Sequence, residues 1–144
     1  MSKENVELVK AVHPQSGSRL TDLFVDEAVV ERLRAADAFD PELEVSGGHI
    51  TGISVNARGL DGLIEAWRDW LEPWEVYWTE VEGFLDAGND QVVVLVRDHG
   101  RLRASDSEVQ AVAGSVWTIR DGKIVRIEFH ADREQALEAA GLSE

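Results

Sequence analysis

The chain contains no cysteine. Disulfides, thiol nucleophiles and cysteine-based metal centres are therefore excluded. Basic charge is scarce: 14 Lys and Arg stand against 28 Asp and Glu, for a formal charge of −14. Nucleic acids and anionic lipid surfaces both demand clustered Lys and Arg, so neither nucleic acid nor membrane is an expected partner. No apolar run approaches the ~20 residues of a membrane-spanning helix. The polar start MSKENVELVK lacks the apolar core of a secretory signal, which makes the cytoplasm the expected location. A Gly-rich phosphate loop, a nucleophile elbow and a dinucleotide fingerprint are all missing. His99, His130 and Asp132 do not form a metal-ligand spacing, and neither metal nor cofactor is expected. The three prolines, Pro14, Pro41 and Pro73, fall where periodic segments stop.

What is present is enough for a core. The 144 residues are 44% apolar, and a chain of this length buries roughly 70% of its unfolded surface. The expectation is one domain over residues 1–144. Val6, Val9 and either Val12 or His13 recur at helical spacing after Ser2 and stop at Pro14. From about Thr21 to Ala38, Leu23, Phe24, Ala28 and Leu33 form a stripe opposite Asp26, Glu27, Glu31, Arg32 and Arg34, with room for a break near Asp26. Leu43 to Val45 alternates as a short strand. Gly59 and Asp61 open a third helix whose stripe is Leu60, Leu63, Ile64, Trp67 and Leu71.

The period then changes to two. Val76 to Phe84, Gln91 to Arg97, Glu108 to Arg120 and Lys123 to Ala131 read as strands, joined by turns at Gly88-Asn89-Asp90 and Asp121-Gly122 and by a polar connection over 100–107. The run from Gln91 is nearly all apolar, which implies burial on both faces or on one face plus a partner. Asp132 caps a final short helix that Gly141 ends. Helices followed by long strands mean an α+β fold with an antiparallel sheet.

Three segments carry a resemblance: Glu4-Asn5-Val6-Glu7-Leu8-Val9, Gly59-Leu60-Asp61-Gly62-Leu63 with Trp67, and Val116-Trp117-Thr118-Ile119-Arg120-Asp121-Gly122-Lys123-Ile124. The tail from Asp132 to Leu142 adds to it. The chain resembles the SnoaL-like proteins of the nuclear transport factor 2-like superfamily, relatives of polyketide cyclases, ketosteroid isomerase and limonene epoxide hydrolase. The resemblance implies a cone: a curved sheet wrapped around helices, with a deep apolar pocket and a homodimer through the outer sheet face.

Side-chain alternation sorts residues into faces. The apolar set of the last strand, Val125, Ile127, Phe129 and Ala131, is expected inward, which brings Ala113, Ser115 and Trp117 inward across the hairpin. For the strand from Gln91, alternation leaves two phases open: Val92/Val94/Val96/Asp98 or Val93/Leu95/Arg97/His99. The resemblance to limonene epoxide hydrolases, laid on without gaps between Val81 and His99, favours the second. Their inward Arg falls on Arg97, and their two acids fall on His99 and Phe129. The acids of ketosteroid isomerase are unmatched too, where Val45-Ser46-Gly47-Gly48 and Ser115 stand.

Arg97 and His99 are thus the catalytic candidates, Arg97 binding a carbonyl or anionic oxygen and His99 moving a proton. Trp67, Ser115, Trp117, Phe129 and His49 are the candidate substrate contacts. The expected ligand is a small apolar, carbonyl-bearing molecule, bound and, if the protein is an enzyme, isomerised or cyclised by acid–base chemistry. The competing expectation is a non-catalytic dimeric interaction module with a filled cone.

Overall fold

The computed structural model describes residues 2–23, 25–48, 54–105 and 107–142. Helix α1 (Ser2–Val12) buries Val9 completely. The next helical region is split, as its sequence allowed. The short α2 (Leu20–Leu23) precedes α3 (Glu27–Ala35), and the Asp26 carboxylate caps α3 by accepting from the Ala28 amide. Helix α4 (Gly59–Leu71) lays Leu63, Ile64, Trp70 and Leu71 against the core, and Asp61 in its first turn pairs with Arg34 at 2.9 Å.

Six strands form one curved, unclosed sheet: β1 (Phe39–Gly48), β2 (Ser54–Arg58), β3 (Trp74–Gly88), β4 (Gln91–Leu102), β5 (Glu108–Arg120) and β6 (Lys123–His130). Their order is β2-β1-β6-β5-β4-β3. Helix α5 (Arg133–Ala139) is capped by Asp132, which accepts from the Glu134 amide. The expected turns are present: Asn89-Asp90 and Asp121-Gly122 all have positive φ, as mirror-image hairpin turns require.

The sequence reading needs correction in four places. The short strand at Leu43–Val45 is the middle of a longer β1, and Pro41 lies inside it, where the ladder to β6 shifts register between Phe39 and Glu44. Strand β2 was not expected at all; its few residues pair with β1 at the sheet edge. The pair β1·β6 is parallel within an otherwise antiparallel sheet. Finally, β4 runs on to Leu102, using residues assigned to a connection.

Both sheet faces are covered around β4. On the concave face Val92, Val94 and Val96 join the main core with Trp117, Ile119, Ile124 and Ile127. On the convex face Val93 and Val116 pack under Ala136 and Ala140 of α5. This two-sided burial explains the nearly continuous apolar run in the sequence. A register shift between Thr118 and Ile119 puts Ile124 into the core and leaves Val125 half-buried, so the expected inward position of Val125 is not observed. Ala113, Ser115, Trp117, Ile127 and Phe129 keep the expected phase, with Ser115 opposite Phe129 and Trp117 opposite Ile127.

Two glycines are fixed by close approach. Gly47 has φ +130°, and a Cβ there would stand 2.0 Å from the Phe129 carbonyl oxygen. Gly100 lies flat under Trp74, whose ring a Cβ would meet at 2.4 Å. The backbone at Gly47 cannot yield without breaking the parallel β1·β6 ladder. Gly47→Ala should therefore destabilise the fold by about 3 kcal/mol in urea denaturation, whereas Gly88→Ala, with open space around it, should cost about 1 kcal/mol.

Candidate functional site

The interior of the cone holds a small cavity of about 50 Å³. Its walls come from α4 (Trp67, Trp70), β3 (Tyr77, Thr79), β4 (Val96, Asp98), β5 (Ala113 to Ser115), β6 with its end (Phe129 to Ala131), and His13-Pro14 after α1. Aromatic rings form one side. Phe129 meets Trp67 edge-on at 5.2 Å, Trp67 meets Trp70 at 4.6 Å, and Trp70 meets Tyr77 at 4.7 Å.

Asp98 is the acid in this apolar wall, only 9% exposed. Its two oxygens are divided between two hydroxyls of the neighbouring strand. Thr79 Oγ1 donates to Oδ1 at 2.6 Å, and Tyr77 Oη donates to Oδ2 at 2.7 Å. Register explains the arrangement: Thr79 is directly opposite Asp98 and Tyr77 is opposite Gly100, so all three side chains share the concave face. Burial holds the Asp98 carboxyl above the usual range, while the Thr79 and Tyr77 hydroxyls pull in the other direction. Burial, then the Asp98 charge, keeps the Tyr77 phenol protonated far beyond neutral pH. The result is a carboxyl that is fixed in place and reluctant to ionise.

His13 is another polar group on the cavity, with Ser115 and His130. Its ring lies 5.8 Å from Phe84 and 5.7 Å from Trp117, centroid to centroid. Nδ1 stands 2.9 Å from the Pro14 carbonyl oxygen. A carbonyl only accepts, so Nδ1 carries the proton and Nε2 keeps its lone pair. Removal from water lowers the ring to about 4, against which the Pro14 contact acts weakly. His13 is neutral at physiological pH.

The expected catalytic pair lies elsewhere. Arg97 and His99 are on the convex face, where Arg97 Nε reaches Glu82 at 3.3 Å and His99 Nε2 meets Glu80 at 2.8 Å. His99 also stacks on Trp78, 4.0 Å between ring centres. Alternation within β4 puts Arg97 and His99 on the face opposite Asp98, so the gap-free transfer from a related strand selected the wrong phase. Asp98 belonged to the other of the two open phases. A signal for it was present: Glu75, Glu80 and Glu82 on one strand complement Arg97, His99 and Arg101 on the next, as exposed cross-strand partners do.

Of the expected substrate contacts, Trp67, Ser115 and Phe129 line the cavity. Trp117 is buried beside Ser115 and donates from Nε1 to Ser115 Oγ at 2.8 Å. His49 lies outside the described residues. Sequence reasoning missed Tyr77, the only tyrosine, and also Thr79 and His13. Among the described residues no group of three or more His, Asp or Glu could hold a metal ion.

The two titrating groups act on stability with opposite signs. Between pH 6.5 and about 4 the unfolded chain protonates His13 and the folded chain does not. Stability present above pH 6.5 is therefore lost as pH falls through that window, by up to about 3 kcal/mol for a ring wholly out of water and less for this partly buried one. Asp98, raised in the fold, opposes this by favouring the folded state at acid pH. Urea denaturation at pH 7 and pH 4.5 should show His13→Gln losing less stability on acidification than the wild type.

The SnoaL-like domain profile matches residues 6–127. No curated protein matches the chain. A candidate SnoaL-like polyketide cyclase from Jannaschia sp. CCS1 is 18% identical, with a TM-score of 0.64 over 88% of this chain and 84% of that one. A protein with a ketosteroid isomerase-like fold from Catenulispora acidiphila, solved with trimethylamine, is 14% identical, with a TM-score of 0.60 over 94% and 93%. A phenazine biosynthesis-related protein from Pseudomonas aeruginosa is 17% identical, with a TM-score of 0.62 over 99% and 84%. At such identities the likeness is one of fold. The match over most of the sequence, on a curved six-stranded sheet wrapping helices, makes this chain a member of the SnoaL-like domain family.

Proposed function

We propose that this protein binds a small apolar molecule through a carbonyl group in the cone, and that Asp98 exchanges a proton with it. One observation carries the reading: a buried carboxyl in an apolar, aromatic-walled cavity, fixed by Thr79 and Tyr77 and with weakened acidity. Protonated, Asp98 donates a hydrogen bond to the ligand's carbonyl oxygen. Ionised, it takes a proton from the carbon next to that carbonyl. Returning the proton to another carbon isomerises the molecule, whereas attack of the enolate carbon on a second carbonyl of the same molecule, whose oxygen takes the proton, closes a ring. Neutral His13 adds an acceptor. Ser115 is engaged with Trp117 and shapes the wall. Arg97 and His99 have no part in the reading. The acid excess fits a cytoplasmic protein, and β3 to β5 offer an outer face for a homodimer.

The second reading is a non-catalytic dimeric module, and the small cavity of about 50 Å³ favours it. Deuterium exchange at the methyl group of acetophenone separates the two. The first reading expects exchange above the buffer rate that falls about 100-fold or more in Asp98→Asn and survives Arg97→Gln. Exchange at the buffer rate, with no binding of acetophenone, supports the module.

A further inference from the structure

Three cavities share His13 and Pro14 as walls. One is the inner chamber of about 50 Å³ that holds Asp98. A second, of about 330 Å³, lies between α1, α2 and α3, with Val12, Leu23, Val29 and Leu33 among its walls. The third, of about 380 Å³, lies between α1 and β3 beside Phe84. The inner chamber of about 50 Å³ is about a third of the volume of a cavity of about 150 Å³ that holds a single benzene, so it does not take a larger molecule alone. A molecule that reaches Asp98 must also occupy a neighbouring recess, and His13 stands between them.

The wall itself is pinned. The segment after Pro14 is tied to the edge strand β3 by four hydrogen bonds. Gly17 N donates to Thr79 O at 2.6 Å, Thr79 N to Ser18 O at 3.4 Å, Val81 N to Ser16 Oγ at 2.9 Å, and Tyr77 N to Thr21 Oγ1 at 3.4 Å. Passage therefore falls to a side chain rather than to a moving loop. The His13 ring is held by one hydrogen bond, to its neighbour's carbonyl, by an edge contact with Phe84 and by a tilted contact with Trp117. A neutral ring can turn without carrying charge through an apolar wall.

The recess between the helices also indicates what its far end binds. Its aliphatic wall of Val12, Leu23, Val29 and Leu33 is joined by polar His13, Gln15, Ser18 and the exposed Arg32. Arg32 makes no ion pair among the described residues, while its helix neighbour Arg34 is bound to both Glu31 and Asp61. In a chain of net charge −14, an unpaired guanidinium on the rim of an apolar recess is a ready site for an anion.

We infer that the binding site runs from Asp98 past His13 into the recess between α1, α2 and α3, and that it takes an elongated oxo-acid, its carbonyl at Asp98 and its carboxylate at Arg32, with His13 setting the length admitted. This rests on the reading of Asp98 as the carbonyl site.

Tryptophan fluorescence and stopped-flow titrations with 7-oxooctanoate and 2-octanone test it. The wild type should bind 7-oxooctanoate about tenfold more tightly, and Arg32→Gln should erase that margin while leaving 2-octanone unchanged. His13→Ala should speed association of both compounds about tenfold, and His13→Phe, which keeps the ring contacts and fills the passage, should slow it. Circular dichroism confirms that each variant is folded. Equal affinity for the two compounds, or association rates indifferent to both His13 variants, overturns the inference. If 2-octanone binding still depends on Asp98 in that case, the carbonyl site stands alone. If neither compound binds, the carbonyl site fails and the extended site fails with it.

Discussion

A carboxyl group placed among valines, alanines and aromatic rings has to find hydrogen-bond donors or leave the core. Asp98 finds them on the adjacent strand, and much of the surrounding structure follows from that pairing. Thr79 gives its hydroxyl to Asp98 and its backbone to the segment that closes the sheet edge. Tyr77 gives its hydroxyl to the same carboxyl and its ring to the aromatic wall with Trp70 and Trp74. Pocket chemistry and edge protection thus share two residues, and a change at either is felt in both.

The two faces of the sheet separate two kinds of electrostatics. On the convex side, Arg101 with Glu75, His99 with Glu80, and Arg97 and Arg133 with Glu82 form a half-exposed ladder of ion pairs. Such pairs are individually weak in water, but they fix strand phase by making the reverse phase bury several charges. On the concave side removal from water disfavours the charged forms of Asp98, Tyr77 and His13 alike.

The sequence made the fold legible because its signals were long and consistent. The helical stripe of α4, the mirror-turn residues Asp121-Gly122 and the cap at Asp132 each answer to a local physical rule, and each recurs in the structure. Strand β2 was hidden because it is short and its stability comes from β1 rather than from its own residues. Arg97 and His99 were misplaced for a different reason. Alternation gives two similarly apolar phases when both faces of a strand are covered, and nothing local to β4 chooses between them. Asp98, Tyr77 and Thr79 come together only through cross-strand register, which no single segment displays. His13 sits just past a helix end, where periodicity stops giving information.

The account depends most on Asp98 being held out of water while bonded to two hydroxyls. Carbon-detected NMR titration of the Asp98 side-chain carboxyl measures this directly, in the wild type and in Tyr77→Phe. The account predicts a midpoint above the ordinary 3.8, moving higher still when the Tyr77 hydroxyl is removed. A midpoint at or below 3.8, or one that falls in Tyr77→Phe, would contradict it.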